Sequence, residues 1–326
     1  MGLEHFNKAC RPYIFRQLSS QEFDILIIGG GITGASIFRD AVLRGLRTAL
    51  IEAQDFASGT SSRSSKLVHG GLRYLRHLHF NLVRESCREL NLHLKLNGRL
   101  VQPVRFLMPV YRNGSSSPTK MRVAMWLYDA MSGFKSPRPH QFINREDVLT
   151  MAPGITSDGL SGGCLYYEAI VSDNRLTLET VKDGVRHGGT AINHAPVVGL
   201  IKFDGQTSGV KCRDKLTGRS HSIRANVVIN ATGVFADRLR RLDGSDVPDL
   251  LTLSKGTHLV FAESDIPIKE SIVFFSHIDG RALFLIKHEG CFLYGTTDDW
   301  EDANPAFPTP STEDVDYLLE SLRRFM

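Results

Sequence analysis

The segment Gly29-x-Gly31-x-x-Gly34 stands between a short apolar run, FDILIIGG, and a stretch of helical period, ASIFRDAVLRG. The chemistry of this pattern is anion binding. The first glycine permits a tight turn, the second lets the backbone approach a pyrophosphate, and the third lets helix and strand close up. The helix start offers unpaired N–H groups and a positive partial charge to phosphate. Glu52 ends the next apolar run, RTALIEA, about twenty residues on, where it can accept hydrogen bonds from a ribose hydroxyl. An acid there would meet a 2′-phosphate as one anion meets another, which argues against NADP. An adenine dinucleotide is indicated, NAD and FAD both remain open, and a structural glycine turn is the plain alternative.

Four further stretches carry groups that could do chemistry. GTSSRSSKLVHGGLRYL (59–75) follows Glu52 closely and gathers hydroxyls, backbone N–H groups, Lys66, His69, Arg73 and Tyr74. It reads either as a solvated linker or as a cradle for a pyrophosphate or flavin edge. VVINATGVFADRL (227–239) runs from an apolar strand into Ala231-Thr232-Gly233, small residues that allow close backbone approach, or merely a strand-to-helix turn. His258 in KGTHLV lies between a turn and an apolar strand, a place that suits a structural or a catalytic histidine. Arg281 and the Gly295-Thr296-Thr297-Asp298 turn could line a polar site or cap a hairpin.

The bulk properties set bounds on this chemistry. The chain has 326 residues, 42% hydrophobic and 23% charged, with a formal net charge of +4. That length suits about two domains. The mild positive charge, with no long Lys/Arg run, gives no sign of nucleic acid but would suit an anionic substrate or lipid surface. Cys10, Cys87, Cys164, Cys212 and Cys291 are scattered, as reduced thiols would be. No metal-ligand spacing appears among the histidines and cysteines, so no metal is expected. No apolar run is long enough to span a membrane. Residues 1–21 read as a short surface helix or a disordered lead.

The elements that must position these residues begin with a βαβ unit from Phe23 to Glu52. Residues 79–97 are helical by period, with Leu82, Val83, Cys87, Leu90 and Leu94 recurring at steps of three and four. A strand at VRFLMPVYR, a helix from about Met121, a short helix at REDVLTMAPGI and a strand at SGGCLYYEAIVSD follow. NRLTLETVKDGVRHGG is a helix, and Asp204-Gly205 and Thr217-Gly218 mark hairpins. THLVFAE, SIVFF, RALFLIK and CFLYGTT are strands; the final segment is an amphipathic helix opened by a Ser311/Asp314 cap. The fold class is mixed α/β, a Rossmann-like cofactor domain (22–100 and 170–245) interleaved with an antiparallel-sheet substrate domain (101–169 and 246–326).

The string DILIIGGGITGASIFRDAVLRGLRTALIEAQDFASGTSSRSSKLVHGGLRYL resembles the FAD-dependent glycerol-3-phosphate dehydrogenases, within the D-amino-acid-oxidase-like flavoproteins. YYEAIVSDNRL, INATGVFADRL, KGTHLV, GRALFLI and YGTTD are similar to the same family in the same order, over roughly residues 22–326. The resemblance implies FAD as cofactor and oxidation of sn-glycerol 3-phosphate to dihydroxyacetone phosphate, with electrons passed to a membrane quinone. It implies FAD contacts at Gly29, Gly30, Gly31, Thr33, Gly34, Glu52 and Ala53; at Thr60, Ser61, Ser62, Ser64, Ser65, Lys66 and Leu67; and at Val197, Ala231, Thr232 and Gly233. Arg73, Tyr74 and His258 match positions the family places near substrate, and Arg281 joins them as a substrate contact.

The chemistry then needs a base to take the C2 hydroxyl proton as the C2 hydrogen leaves as hydride to flavin N5, and His258 is the first candidate. Arg73 has the planar fork that suits phosphate oxygens. The resemblance also implies a cytoplasmic protein held peripherally at the inner membrane, with residues 1–20 as one candidate contact, and is compatible with a homo-oligomer. The family continues past this length with a substrate-binding Arg and a glycine-rich return to FAD, so the chain reads as C-terminally truncated. Val234 stands where the family commonly has Pro, and IKHEG where it has a Pro-Trp pair. The alternatives are an oxidase using oxygen, a related FAD oxidoreductase with another substrate, and an inactive flavin-binding fragment.

Overall fold

A computed structural model of the chain describes residues 4, 6–71, 79–112, 118–133, 137–244, 246–300 and 304–326. In chain order, α1 (Arg11–Ser20) precedes β1 (Glu22–Ile28), α2 (Ile32–Leu43), β2 (Thr48–Ile51) and β3 (Leu67–Val68). Next come α3 (Phe80–Leu96), β4 (Val101–Tyr111), α4 (Pro118–Met131), β5 (Gln141–Ile143), α5 (Arg145–Met151) and β6 (Leu160–Val171). Then follow α6 (Asp173–Arg186), β7 (Thr190–Ile192), β8 (Val197–Phe203), β9 (Gln206–Arg213), β10 (Ser220–Asn230) and α7 (Ala236–Arg240). After these stand β11 (Ser254–Lys255), β12 (His258–Ala262), β13 (Ser271–Phe275), β14 (Ala282–His288), β15 (Cys291–Gly295), β16 (Asp299–Trp300) and α8 (Thr312–Phe325). They gather into two compact units: Met1–Ser64, Ser172–Leu253 and Asp302–Ala306 make the first, and Ser65–Val171, Ser254–Glu301 and Phe307–Met326 the second.

The first unit is built on a six-stranded sheet in the order β7-β2-β1-β10-β9-β8. β7, β2, β1 and β10 run parallel, and β9 and β8 add antiparallel hairpins. Parallel strands covered on both faces must be apolar on both, which is why FDILII and TALI do not alternate. Ile27 and Leu50 face Phe38, Val42, Val181 and Val185 of α2 and α6. Their neighbours Leu26, Ile28, Ala49 and Ile51 belong to the opposite core, with Ile14, Phe15 and Leu18 of α1. Residues 11–20 are therefore an ordered helix, not a disordered lead. Three buried apolar side chains tie α1 to the sheet, each worth roughly 1.5–3 kcal/mol. The same packing buries the apolar side chains of α1 against the sheet.

The second unit carries an eight-stranded sheet in the order β12-β15-β14-β13-β4-β6-β3, with β5 beside β6. Most pairs are antiparallel, and β13 with β4 is parallel. The sheet curls, so that the ring of His69, just past β3, lies 5.5 Å from that of Phe284 on β14. One face packs on α5 and α8 through residues such as Val148, Leu318, Leu322 and Phe325. The other takes Val83 and Cys87 of α3 and Met121, Met125 and Tyr128 of α4. Residues 65–100, grouped by sequence with the cofactor domain, lie in this second unit. The cause is pairing: β3 adds to β6, and α3 covers β4 and β6. On α3, Val83, Cys87 and Leu90 are buried, while Leu82, a quarter-turn off the stripe, is 45% exposed. Ser311 and Asp314 form a full capping box at the start of α8.

Candidate functional site

The cradle in the first unit sits at the carboxyl ends of parallel strands. Ile192, Ile51, Ile28 and Asn230 stand in one row across β7, β2, β1 and β10. One step past that row lie Asn193, Glu52, Gly29 and Ala231, the edge where open α/β sheets bind ligands. Gly29 has φ +111°, and a Cβ there would stand 2.4 Å from the Ala231 carbonyl oxygen. A Cβ on Gly34 would stand 1.9 Å from the Gly29 carbonyl oxygen. α2 has no side-chain N-cap; the Ile32 N–H donates to Ser61 Oγ at 2.8 Å. Gly31 opens onto space in which the same Ser61 Oγ, 3.1 Å from an added Cβ, is the near neighbour. Half-buried Glu52 accepts from Gly30 N–H at 2.6 Å and Gln54 N–H at 2.7 Å, which fixes its carboxylate beside the glycine turn.

The loop after Ala53 divides between the units at Ser64/Ser65. Thr60 to Ser62 form a short helical turn, with Ser62 Oγ on Gly59 O and Thr60 exposed. Ser64 Oγ donates to Asp173 Oδ2 in the first turn of α6. Ser65 turns instead to histidine: its Oγ lies 2.9 Å from His258 Nε2. Lys66 holds φ +57°, and its carbonyl accepts from Val171 N–H. Leu67 enters β3 opposite Ile170. Thr232 N–H and Oγ1 both turn to Asn230 Oδ1, next to Ala231 and Gly233. Val197 opens β8 opposite Cys212.

His258 opens β12 opposite Gly295 of β15. Burial pushes its pKa below the usual 6.5, and the nearby Lys66 charge pushes it further the same way. The imidazole is therefore neutral at pH 7, the state a proton acceptor needs. Which ring nitrogen carries the proton decides whether Ser65 donates or accepts. Arg281, just before β14, is already engaged: its Nε lies 3.4 Å from Asp279 Oδ2 and its guanidinium 5.9 Å from the centre of the Tyr317 ring. Arg73 and Tyr74 lie outside the described residues.

The profile of the FAD dependent oxidoreductase family (DAO) matches residues 24–326. The chain belongs to that family. An aerobic glycerol-3-phosphate dehydrogenase of Staphylococcus saprophyticus is 38% identical over 313 residues, covering 96% of this chain and 56% of that one. One from Staphylococcus aureus is 36% identical over the same shares. The structure of the Bacillus halodurans glycerol-3-phosphate dehydrogenase complexed with FAD superposes with a TM-score of 0.78 at 34% identity, over 97% of this chain and 55% of that chain. The L-proline dehydrogenase of P. horikoshii shares the fold, with a TM-score of 0.67 at 16% identity. The chain thus spans just over half the length of the dehydrogenases it matches.

The residues present fit the family's FAD. An uncapped helix start, a turn closed to any Cβ and a fixed carboxylate one strand away are what a pyrophosphate and a ribose require. Among the described residues no group of His, Cys, Asp and Glu could hold a metal ion, and no helix is long and apolar enough to cross a membrane.

This DAO-family chain also carries a buried acid with no sequence signal. Glu168, on β6, is 1% exposed; its carboxylate accepts from Gly70 N–H and, at 3.4 Å, from the Tyr128 hydroxyl. Burial raises its pKa from the ordinary 4.5 to about 8, the two hydrogen bonds opposing. The folded chain then keeps a proton that the unfolded chain releases, so this group makes stability fall as pH rises from about 4.5 to about 8. Glu168→Gln keeps an acceptor and removes the titration. Its melting temperature is expected to match the wild type near pH 5 and exceed it at pH 8.5; parallel melting curves for the two proteins across this range would contradict the assignment.

Proposed function

We propose that the chain forms the cofactor- and substrate-binding part of an enzyme that oxidises sn-glycerol 3-phosphate to dihydroxyacetone phosphate and delivers the electrons to a membrane quinone. The observation that carries this reading is the extent of the likeness. Dehydrogenases of that name match at 36–38% identity over 96% of the chain, through both compact units. Solved structures with other substrates in their titles stand at 16–19% and share the fold alone.

In this reading the first unit is the FAD-binding domain and the second the substrate domain. Gly29, Gly30, Gly31, Thr33 and Gly34 would hold the pyrophosphate at the α2 start, and Glu52 and Ala53 the ribose. Thr60 to Leu67, Val197 and Ala231 to Gly233 would supply the remaining contacts. FAD, when bound, supplies the two-electron acceptor. Neutral His258, oriented by Ser65, takes the proton of the C2 hydroxyl, since only an unprotonated imidazole can accept it. The Arg73 fork matches a phosphate, with Tyr74 beside it in sequence. Arg281 would reach substrate only by leaving Asp279. Contact with the membrane is peripheral.

Anaerobic addition of glycerol 3-phosphate to the FAD-loaded protein should bleach the flavin band near 450 nm, and a soluble quinone should restore it. No bleaching would overturn the substrate assignment. Hydrogen peroxide formed in proportion to oxygen consumed would replace quinone by oxygen; an L-α-glycerophosphate oxidase with this fold exists at 15% identity.

A further inference from the structure

We infer that Arg11, on the helix ahead of β1, is a positioning residue for the cofactor cradle and sets affinity for the adenosine half of FAD by fixing Glu52. The inference rests on the assignment of the cradle to FAD. It concerns a residue upstream of the family match, which starts at residue 24.

Arg11 is 7% exposed and is the first residue of α1. A cation at a helix start faces the positive end of the helix dipole, so helix formation does not explain it. Its partners do. Nε and Nη2 donate to Asp214 Oδ1 at 2.9 and 2.7 Å. Nη2 also donates to the carbonyls of Asn193 (2.8 Å) and His194 (3.2 Å), and Nη1 to Asn193 Oδ1 (3.3 Å). Phe15 supports the guanidinium from 5.0 Å. Burial works to raise the Asp214 carboxyl, yet hydrogen bonds from Arg11, Thr217 and Leu216 hold it below the ordinary carboxylate range.

The turn that Arg11 grips is the one that braces Glu52. Ala195 N–H donates to the Glu52 carbonyl at 2.8 Å, and His194 N–H to the Gln54 carbonyl at 2.7 Å. Asn193 Nδ2 donates to Asp55 Oδ1, and Lys215 Nζ to Gln54 Oε1, both at 2.8 Å. Gln54 N–H in turn fixes the Glu52 carboxylate. His194 holds φ +49°, a conformation a non-glycine residue keeps only when its surroundings impose it. Arg11 imposes it by binding two successive carbonyls and one carboxylate from a single rigid fork. A lysine offers one compact ammonium and cannot reproduce that geometry.

The test is a double-mutant cycle with Arg11→Lys and Glu52→Gln in the full chain, read as FAD affinity from flavin fluorescence and as ADP affinity by competition. Arg11→Lys is expected to weaken both about tenfold in the wild type but less than about twofold beside Glu52→Gln, because sites acting through one another are not additive. A merely structural role would weaken binding equally in both backgrounds, and that additivity, or an unchanged affinity in a folded Arg11→Lys protein, overturns the inference. Should Arg11→Lys fail to fold, Asn193→Ala retains the Arg11–Asp214 pair and is held to the same pattern. A wild-type chain that binds no FAD instead removes the cradle assignment on which the inference stands.

Discussion

Gly34→Ala is expected to weaken FAD binding by about a hundredfold. The new methyl carbon would stand 1.9 Å from the Gly29 carbonyl oxygen, and 3.1 Å from its carbonyl carbon. Both are backbone, so no rotamer relieves the clash; α2 must move off β1, and with it the N–H groups at its start that would face the pyrophosphate. Overpacking of this kind costs about 3 kcal/mol or more, roughly a hundredfold in affinity. Gly199→Ala, on β8 with nothing within 4 Å of its Cβ position, serves as the matched control and should bind as the wild type does. Titration of both proteins with FAD decides the matter: near-native affinity in Gly34→Ala would mean that the glycine turn is structural and the pyrophosphate lies elsewhere.

His258→Asn is expected to leave FAD affinity intact and to lower kcat by about 10²–10⁴, the usual share of a positioned base. The pH profile carries the sharper signature. The base must be neutral, and burial with the Lys66 charge sets its pKa below 6.5, so activity should hold at pH 7 and fall as pH drops through that lower value. Lys66→Met removes a charge that disfavours imidazolium, and the acid limb should then move to higher pH. Steady-state rates from pH 5 to 8 test both statements. A limb that stays in place in Lys66→Met, or a kcat within threefold of wild type in His258→Asn, would assign the proton to another group.

The cradle was legible in the sequence because its parts are local. Strand, glycines, helix, strand and Glu52 follow one another at fixed spacing, and each step is dictated by backbone geometry. The capping box at Ser311 and the hairpin at Asp204-Gly205 are local in the same sense. His258 could be suspected but not placed, because Ser65 lies 193 residues away and meets it only when the second sheet curls. Glu168 looked like any strand carboxylate between Tyr167 and Ala169. Only the cover of α3 and α4 makes it a buried acid. The helical period of residues 79–97 announced an amphipathic helix correctly, but period does not say which sheet the apolar stripe covers. Only the pairing of β3 with β6 and the cover of α3 draw residues 65–100 into the second unit. The packing of α1 is not legible for a related cause: Ile14, Phe15 and Leu18 are too few to announce a packed helix, and Arg11 gains its meaning from Asp214, 203 residues on.

The pairing of β1 with β10 also constrains how the protein is made. Glu22 lies opposite Arg224, so β1 leaves the ribosome roughly 200 residues before its neighbour exists, a wait of about 10–40 s at 5–20 residues per second. During that interval the strand FDILII has one open edge, and Ala231, which closes the glycine turn, has not been synthesised. The nascent βαβ unit therefore presents a helix start without the far wall of its cradle. A cofactor held at that turn would find its cradle complete only after Ala231 has been made. Slower elongation lengthens that interval in proportion.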